Sequence, residues 1–305
     1  MLAPSLASND RLFRLAERGQ REPSVTLAIL VVPATLAIMI VCQVAARGVL
    51  RRLLAREPAD SVAELLGFSS IFGVLWLLLH FWSRRPFSSL GFDTSGPLRP
   101  ITTGSAAAIV MMSATAAALI LAGASVTSGG FQSGGIGALG AAILGLAPTT
   151  VQSSSEEALF RGWLLQSIGV RLGPLAGVLL SSLIFTLAHA TTGPPPLGWI
   201  NLFLFGSVAA LFAISEGGLW AACAWHTIWN WTQGGLLGFA VDRSAGGGLI
   251  ASIHATGPDY ITGGAFGPEG GIVVTVVLLA AIGVLWLNVR QQRDPERSVA
   301  HTGAK

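Results

Sequence analysis

Glu156, Glu157 and Arg161 stand within six positions of one another, inside a long apolar run. A charge at bilayer depth costs about 2.5–3.5 kcal/mol or more, so such residues face a bundle interior and serve a pathway or a reaction. Glu157 and Arg161 are four apart and share a helix face, where they can pair. Glu156 then lies on an adjacent face, about 100° away. Farther on, His189 follows Phe185 by four positions, and Asn230 follows His226 by four. A carboxylate and a His in a dry cavity can act as general base on a water, and apolar burial would raise the Glu pKa toward a useful value. A second His with an Asn can donate hydrogen bonds to a developing oxyanion. That set suits amide hydrolysis with water as the nucleophile. Glu156, His189 and His226 are also a sufficient three-ligand set for catalytic Zn²⁺. The residues alone leave both routes open.

Each residue also has a purely structural reading. Glu157 and Arg161 would pin a helix as an ion pair, and Asn230 would bridge helices for ~0.6 kcal/mol. A lone intramembrane His is often a hydrogen-bonded packing residue. His80 reads as interfacial, His254, Asp259 and Glu269 as contacts within an outer loop, and His301 as part of a tail. The joint occurrence of Glu156, His189, His226 and Asn230 is what favours chemistry.

These groups must be carried by membrane helices. Hydrophobic residues make up 52% of the 305 and charged ones 11%, with a mean hydropathy of +0.66; soluble domains carry roughly 25% charged residues. The formal charge of +3 comes from Arg placed at the flanks of apolar runs, so nucleic-acid binding is excluded as a reading. Cys42 and Cys223 lie in apolar runs and read as inert thiols.

The pattern predicts an all-α polytopic bundle of about eight spans. They cover about 24–46, 62–82, 101–122, 137–170, 175–190, 197–214, 219–241 and 272–289. The first run is too long for a signal-peptide core and reads as a retained anchor. Residues 47–57 carry four Arg on a Leu/Val frame and predict an interfacial helix lying along the headgroups. In domain terms, 1–24 is a cytoplasmic arm, 25–289 the transmembrane domain with a core at about 139–240, and 290–305 a cytoplasmic tail. Arg in the 84–99 link, at 171 and in the tail places both termini in the cytoplasm of a multi-pass cell-membrane protein. The Arg47–Arg56 cluster violates that rule if the first run spans. Counted at 1.5 Å per residue from the cytoplasmic ends, Glu156 and His189 lie ~21–22 Å up, His226 ~12–15 Å and Asn230 ~18–21 Å. Carboxylate, imidazoles and carboxamide thus converge from three helices.

The zinc-protease pattern His-Glu-x-x-His is absent, as are the Ser motif of rhomboids and the paired Asp motifs of intramembrane aspartyl proteases. The chain instead resembles the CPBP family of intramembrane proteases, the CAAX proteases and bacteriocin-processing enzymes also called Abi. Glu156, Glu157 and Arg161 match its first motif, Phe185 and His189 its second, and His226 and Asn230 its third. The Gly263–Gly271 loop is similar to that of bacterial members. The resemblance implies an endopeptidase cutting a membrane-associated or lipidated peptide near the cytoplasmic half of the membrane. It implies Glu156 with His189 as water activator and His226 with Asn230 as oxyanion site. Whether the enzyme is a metalloprotease is disputed within that family. The competing reading is a non-enzymatic scaffold or a proton-coupled peptide transporter. A transporter would show repeated halves, which this chain lacks.

Overall fold

The computed structural model describes residues 11–92, 96–128, 130–241, 243 and 248–291. Parts of the expected arm and tail, including His301, lie outside the described residues. A short helix α1 (Arg11–Ala16) precedes α2 (Val25–Leu50), whose first turn is capped by the Ser24 hydroxyl accepting from the Leu27 N–H. Helix α3 (Arg56–Leu77) runs antiparallel to α2 and ends in a π turn, Leu78–Ser83. Helix α4 (Leu98–Leu121) leads to strand β1 (Ser125–Ser128). Helix α5 (Gly130–Glu157) is broken at Gly135 and passes through a π segment, Ala158–Leu165, into α6 (Gln166–Leu172). Then come α7 (Pro174–Ala188), α8 (Pro196–Glu216) and α9 (Trp220–Asn230). Strand β2 (Ala251–His254), the single turn α10 (Asp259–Thr262) and α11 (Ile272–Gln291) complete the described chain.

Seven of these helical stretches are long and apolar enough to cross a membrane. The expected all-α polytopic bundle is therefore observed, with one correction to the count. The seventh expected span, 219–241, is an 11-residue helix extended only by a six-residue π turn, Trp231–Leu236. It is short because Asn230 and the Gly234-Gly235 pair lie where a longer apolar run would continue.

The predicted headgroup helix at 47–57 does not form. Arg47 lies in the last turn of α2 and Arg56 opens α3, so the segment is the turn of an α2–α3 hairpin. Asp60 pairs with two of its four Arg, accepting from Arg51 Nε at 2.8 Å and Nη2 at 2.6 Å, with Arg47 Nε 3.3 Å away. The N-terminal arm is likewise not merely polar. Leu12, Phe13 and Leu15 of α1 are buried, and the Phe13 ring closes on Gly169 of α6.

Small residues let the helices approach closely, as expected where lipid supplies no hydrophobic drive between them. A methyl on Gly104 of α4 would strike the carbonyl of Ala221 in α9, and one on Gly206 of α8 would stand 3.0 Å from Ser182 of α7. Helix α8 is the central element: 72% of its most apolar window is buried, against 22–33% for α2, α3, α4, α7 and α11. Those outer helices turn large apolar side chains outward, among them Leu30, Val41, Val110, Val276 and Leu279.

The two ends of the bundle differ. At one end, the Gln20 N–H donates to Ser83 O and the Leu219 N–H to Gly91 O, gathering α1, the 83–91 link and the 216–219 turn. At the other, β1 pairs antiparallel with β2 in the register Thr127↔Ser252. There Arg243 also reaches the carbonyls of Thr192 and Gly193 at 3.2 and 2.8 Å.

Candidate active site

Glu157 ends α5, and its side chain is fully buried. Its Oε1 accepts from Arg161 Nη1 at 3.0 Å and from His226 Nδ1 at 2.8 Å. Arg161 Nη2 donates to the carbonyl of Gly206 at 3.1 Å, and the guanidinium lies 4.5 Å from the centre of the Phe185 ring. The predicted Glu157–Arg161 pair is therefore formed, but it does more than brace a helix. It reaches across the bundle to hold His226. Because a carboxylate only accepts, Nδ1 of His226 carries the proton, and Nε2 is left free to face elsewhere.

Glu156 is 6% exposed, and its Oε2 has no hydrogen-bond partner among the described residues. Glu64 of α3 is half-buried and near enough for the two carboxylates to repel. The sequence reading passed over Glu64, although an acid inside the second apolar run was the signal that could have found it. Phe205 was passed over as well. Its ring lies 4.8 Å from that of His226 and stacks on Phe185 at 6.0 Å and 9°. Nothing in the apolar run around it in α8 distinguishes that Phe from its neighbours.

His189 caps α7 instead of lying within it. Its Nδ1 stands 2.9 Å from the carbonyl of Phe185, one of the helix-end carbonyls left without an N–H partner. A carbonyl can only accept, so Nδ1 is protonated and Nε2 keeps its lone pair. The ring packs on Phe185 with centroids 4.5 Å apart, one helical turn back along α7. Phe185 also stands 6.4 Å from the His226 ring, so both imidazoles share one aromatic support. Asn230, one turn beyond His226 on α9, is half-buried, and its side chain makes no hydrogen bond among the described residues.

Depth follows from α4. Trp225 Nε1, next to His226, donates to Met111 Sδ at 3.4 Å, and Met111 stands near the middle of Leu98–Leu121. The site is thus at mid-span. Two of the three helices that deliver it, α5 and α9, switch to π geometry directly after Glu157 and Asn230, at Ala158 and at Trp231. Such wide turns recur at functional sites because they re-aim the side chains around them.

Among the described residues, no three His, Cys, Asp or Glu side chains are gathered as a metal-holding group. Glu157, not Glu156, is the carboxylate on His226. Glu156, His189 and His226 are not gathered as a Zn²⁺-holding set among the described residues, and no step is derived through a metal. Cys42 and Cys223 are unpaired thiols, as expected. Of the outer-loop residues, Glu269 is anchored inward, accepting from Trp229 Nε1 at 2.8 Å while Asn201 Nδ2 donates to its carbonyl at 2.7 Å.

No curated protein and no solved structure gives a significant match to the chain. The segment that carries all three polar motifs, residues 138–232, matches the family described as Type II CAAX prenyl endopeptidase Rce1-like.

Proposed function

We propose that this protein is an intramembrane endopeptidase that hydrolyses a peptide bond with an activated water. The observation that carries the reading is a division of labour between adjacent acids. Glu157 is committed through Oε1 to both Arg161 and His226, whereas Glu156, buried beside it, is joined to neither by a hydrogen bond; Oε2 of each acid is unpartnered among the described residues.

Glu156, Glu157 and Arg161 together carry one net negative charge in a buried site, and one further proton neutralises it. Either Glu156 or His226 can hold that proton. In the reactive state Glu156 is ionised and His226 is an imidazolium, its Nδ1–H donated to Glu157. Glu156 takes a proton from water, and His189 Nε2 accepts the other O–H and orients it. Attack on the substrate carbonyl builds an oxyanion that accepts from His226 Nε2–H and the Asn230 amide. Glu156 then returns its proton to the departing amine.

A cavity of about 380 Å³ at the loop end, lined by Pro195, Pro196, Arg243, Tyr260 and Phe266, is the proposed arrival point for a peptide substrate. The Arg-rich end that holds Arg84, Arg85 and Arg171 is the cytoplasmic one by charge. Transmembrane domain 25–289 and flanking arm and tail remain the proposed division.

The test compares wild type with Glu156→Gln in reconstituted membranes, supported by a census of peptides that accumulate in cells carrying the variant. Expected is a loss of cleavage of about 10²–10⁴-fold with unchanged insertion and melting. A wild type that binds membrane peptides but cuts none, and binds as well as Glu156→Gln, would establish a scaffold instead.

A further inference from the structure

A second buried cation lies far from the Glu156 site. Arg85, in the link after α3, is 5% exposed, and its guanidinium donates from Nη1 to Gln166 Oε1 at 3.1 Å. Gln166 is itself sealed. Its Nε2 donates to the carbonyls of Ser89 and Leu90 at 3.1 and 3.0 Å, which aims Oε1 at Arg85. The Trp163 ring closes the opposite face, 5.9 Å from the guanidinium carbon. Burial pulls the Arg85 guanidinium down to about 10, opposed only by the charge of Glu22, so it stays cationic at neutral pH. A buried charge without a counter-charge in contact is costly, and the usual remedy is a paired anion.

Space for one adjoins it. A notch of about 10 Å³, room for a single water-sized group, is lined by Arg85, Arg21, Arg171, Ser167, Glu22 and others. Ser167 is 4% exposed, and its Oγ has no hydrogen-bond partner among the described residues. Arg171 is partly committed, donating to the carbonyls of Pro23 and Glu22, with the Glu22 carboxylate 3.8 Å away. Three guanidinium groups face one carboxylate, leaving two positive charges uncompensated.

We propose that this notch binds a phosphate-type oxyanion carried by an anionic lipid headgroup. One anionic oxygen enters between Arg85 and Ser167, and the remainder of the headgroup lies between Arg21 and Arg171. The notch opens at the Arg-rich end, level with the start of α2 and the turn from α6 to α7, where span ends meet the headgroup layer. Free phosphate shares the chemistry, so the test must separate the two sources.

The full chain, delipidated in detergent, is offered phosphatidylglycerol, phosphatidylcholine of the same acyl chains, or inorganic phosphate. Retained lipid is read by native mass spectrometry and stability by thermal unfolding. Expected is retention of phosphatidylglycerol about tenfold tighter than phosphatidylcholine, with a matching rise in melting temperature. That preference should vanish in Arg85→Gln and shrink in Ser167→Ala. Phosphate stabilising wild type but not Ser167→Ala, without any preference for phosphatidylglycerol, would uphold the oxyanion site and overturn its assignment to lipid. Should Arg85→Gln fail to fold, Ser167→Ala and Arg21→Gln carry the test. No headgroup preference and no phosphate effect, or a preference unchanged in both variants, overturns the proposal.

Discussion

Glu157 is the residue through which Arg161 and His226 are joined, since both donate to its Oε1. Removing one member of a buried ion pair strands the other, at a cost of about 3–5 kcal/mol. Glu157→Ala should therefore destabilise the protein by that order, read as a lower melting temperature in detergent. Replacing both charges, Glu157→Leu with Arg161→Met, should restore most of the stability, because neither member of the pair is left stranded. Activity should not return with it, since His226 Nδ1 would lose its 2.8 Å acceptor. A double variant that is both stable and active would show that Glu157 only braces α5. In the proposed mechanism the same acid balances the imidazolium on His226, and stability alone cannot replace that.

At the scale of elements, α9 is placed by contact more than by length. Gly104 admits the backbone of Ala221, and that contact sets how near His226 comes to Glu157. Gly104→Val should overpack the α4–α9 interface by about 1–3 kcal/mol. Because the strain moves α9, activity should fall further than the melting temperature implies; activity falling only in proportion to folded protein would refute the positioning role. Three-motif spacing was legible in the sequence because i, i+4 offsets are a property of any helix. The π segments after Glu157 and Asn230 were not legible. A π turn differs from an α turn by one residue in its hydrogen-bond register, and no residue type announces that shift. The end of α7 at His189 was also hidden, since the run continues with Ala190 and two Thr before Gly193.

For the whole molecule, the β1–β2 ladder ties the 125–128 and 251–254 segments to one end, the end that also holds the α2–α3 turn. Single cysteines at Arg51, Thr127 and Ser252, in a background lacking Cys42 and Cys223, should therefore react together with an impermeant thiol reagent on intact cells. A cysteine at Arg84 should react only after permeabilisation. Labelling of 84 alone would invert the proposed orientation, and labelling of 51 apart from 127 would refute the two-ended topology. The Arg47–Arg56 turn at the far end runs against the charge rule, and Asp60 lessens that conflict by pairing with Arg47 and Arg51.

Composition and periodicity determined the environment, the helical class and the identity of the polar groups. A run of apolar side chains long enough to span needs lipid around it, and a charge within that run needs a partner. Only the tertiary structure decided which acid holds which partner. Glu156 and Glu157 are neighbours with identical side chains, and their roles separate solely through what α8 and α9 bring to each. Gly206 and His226 meet the Glu157–Arg161 pair, and neither is hydrogen-bonded to Glu156. Spacing along a chain sets which residues share a face; which face meets which helix is settled by close packing across the bundle.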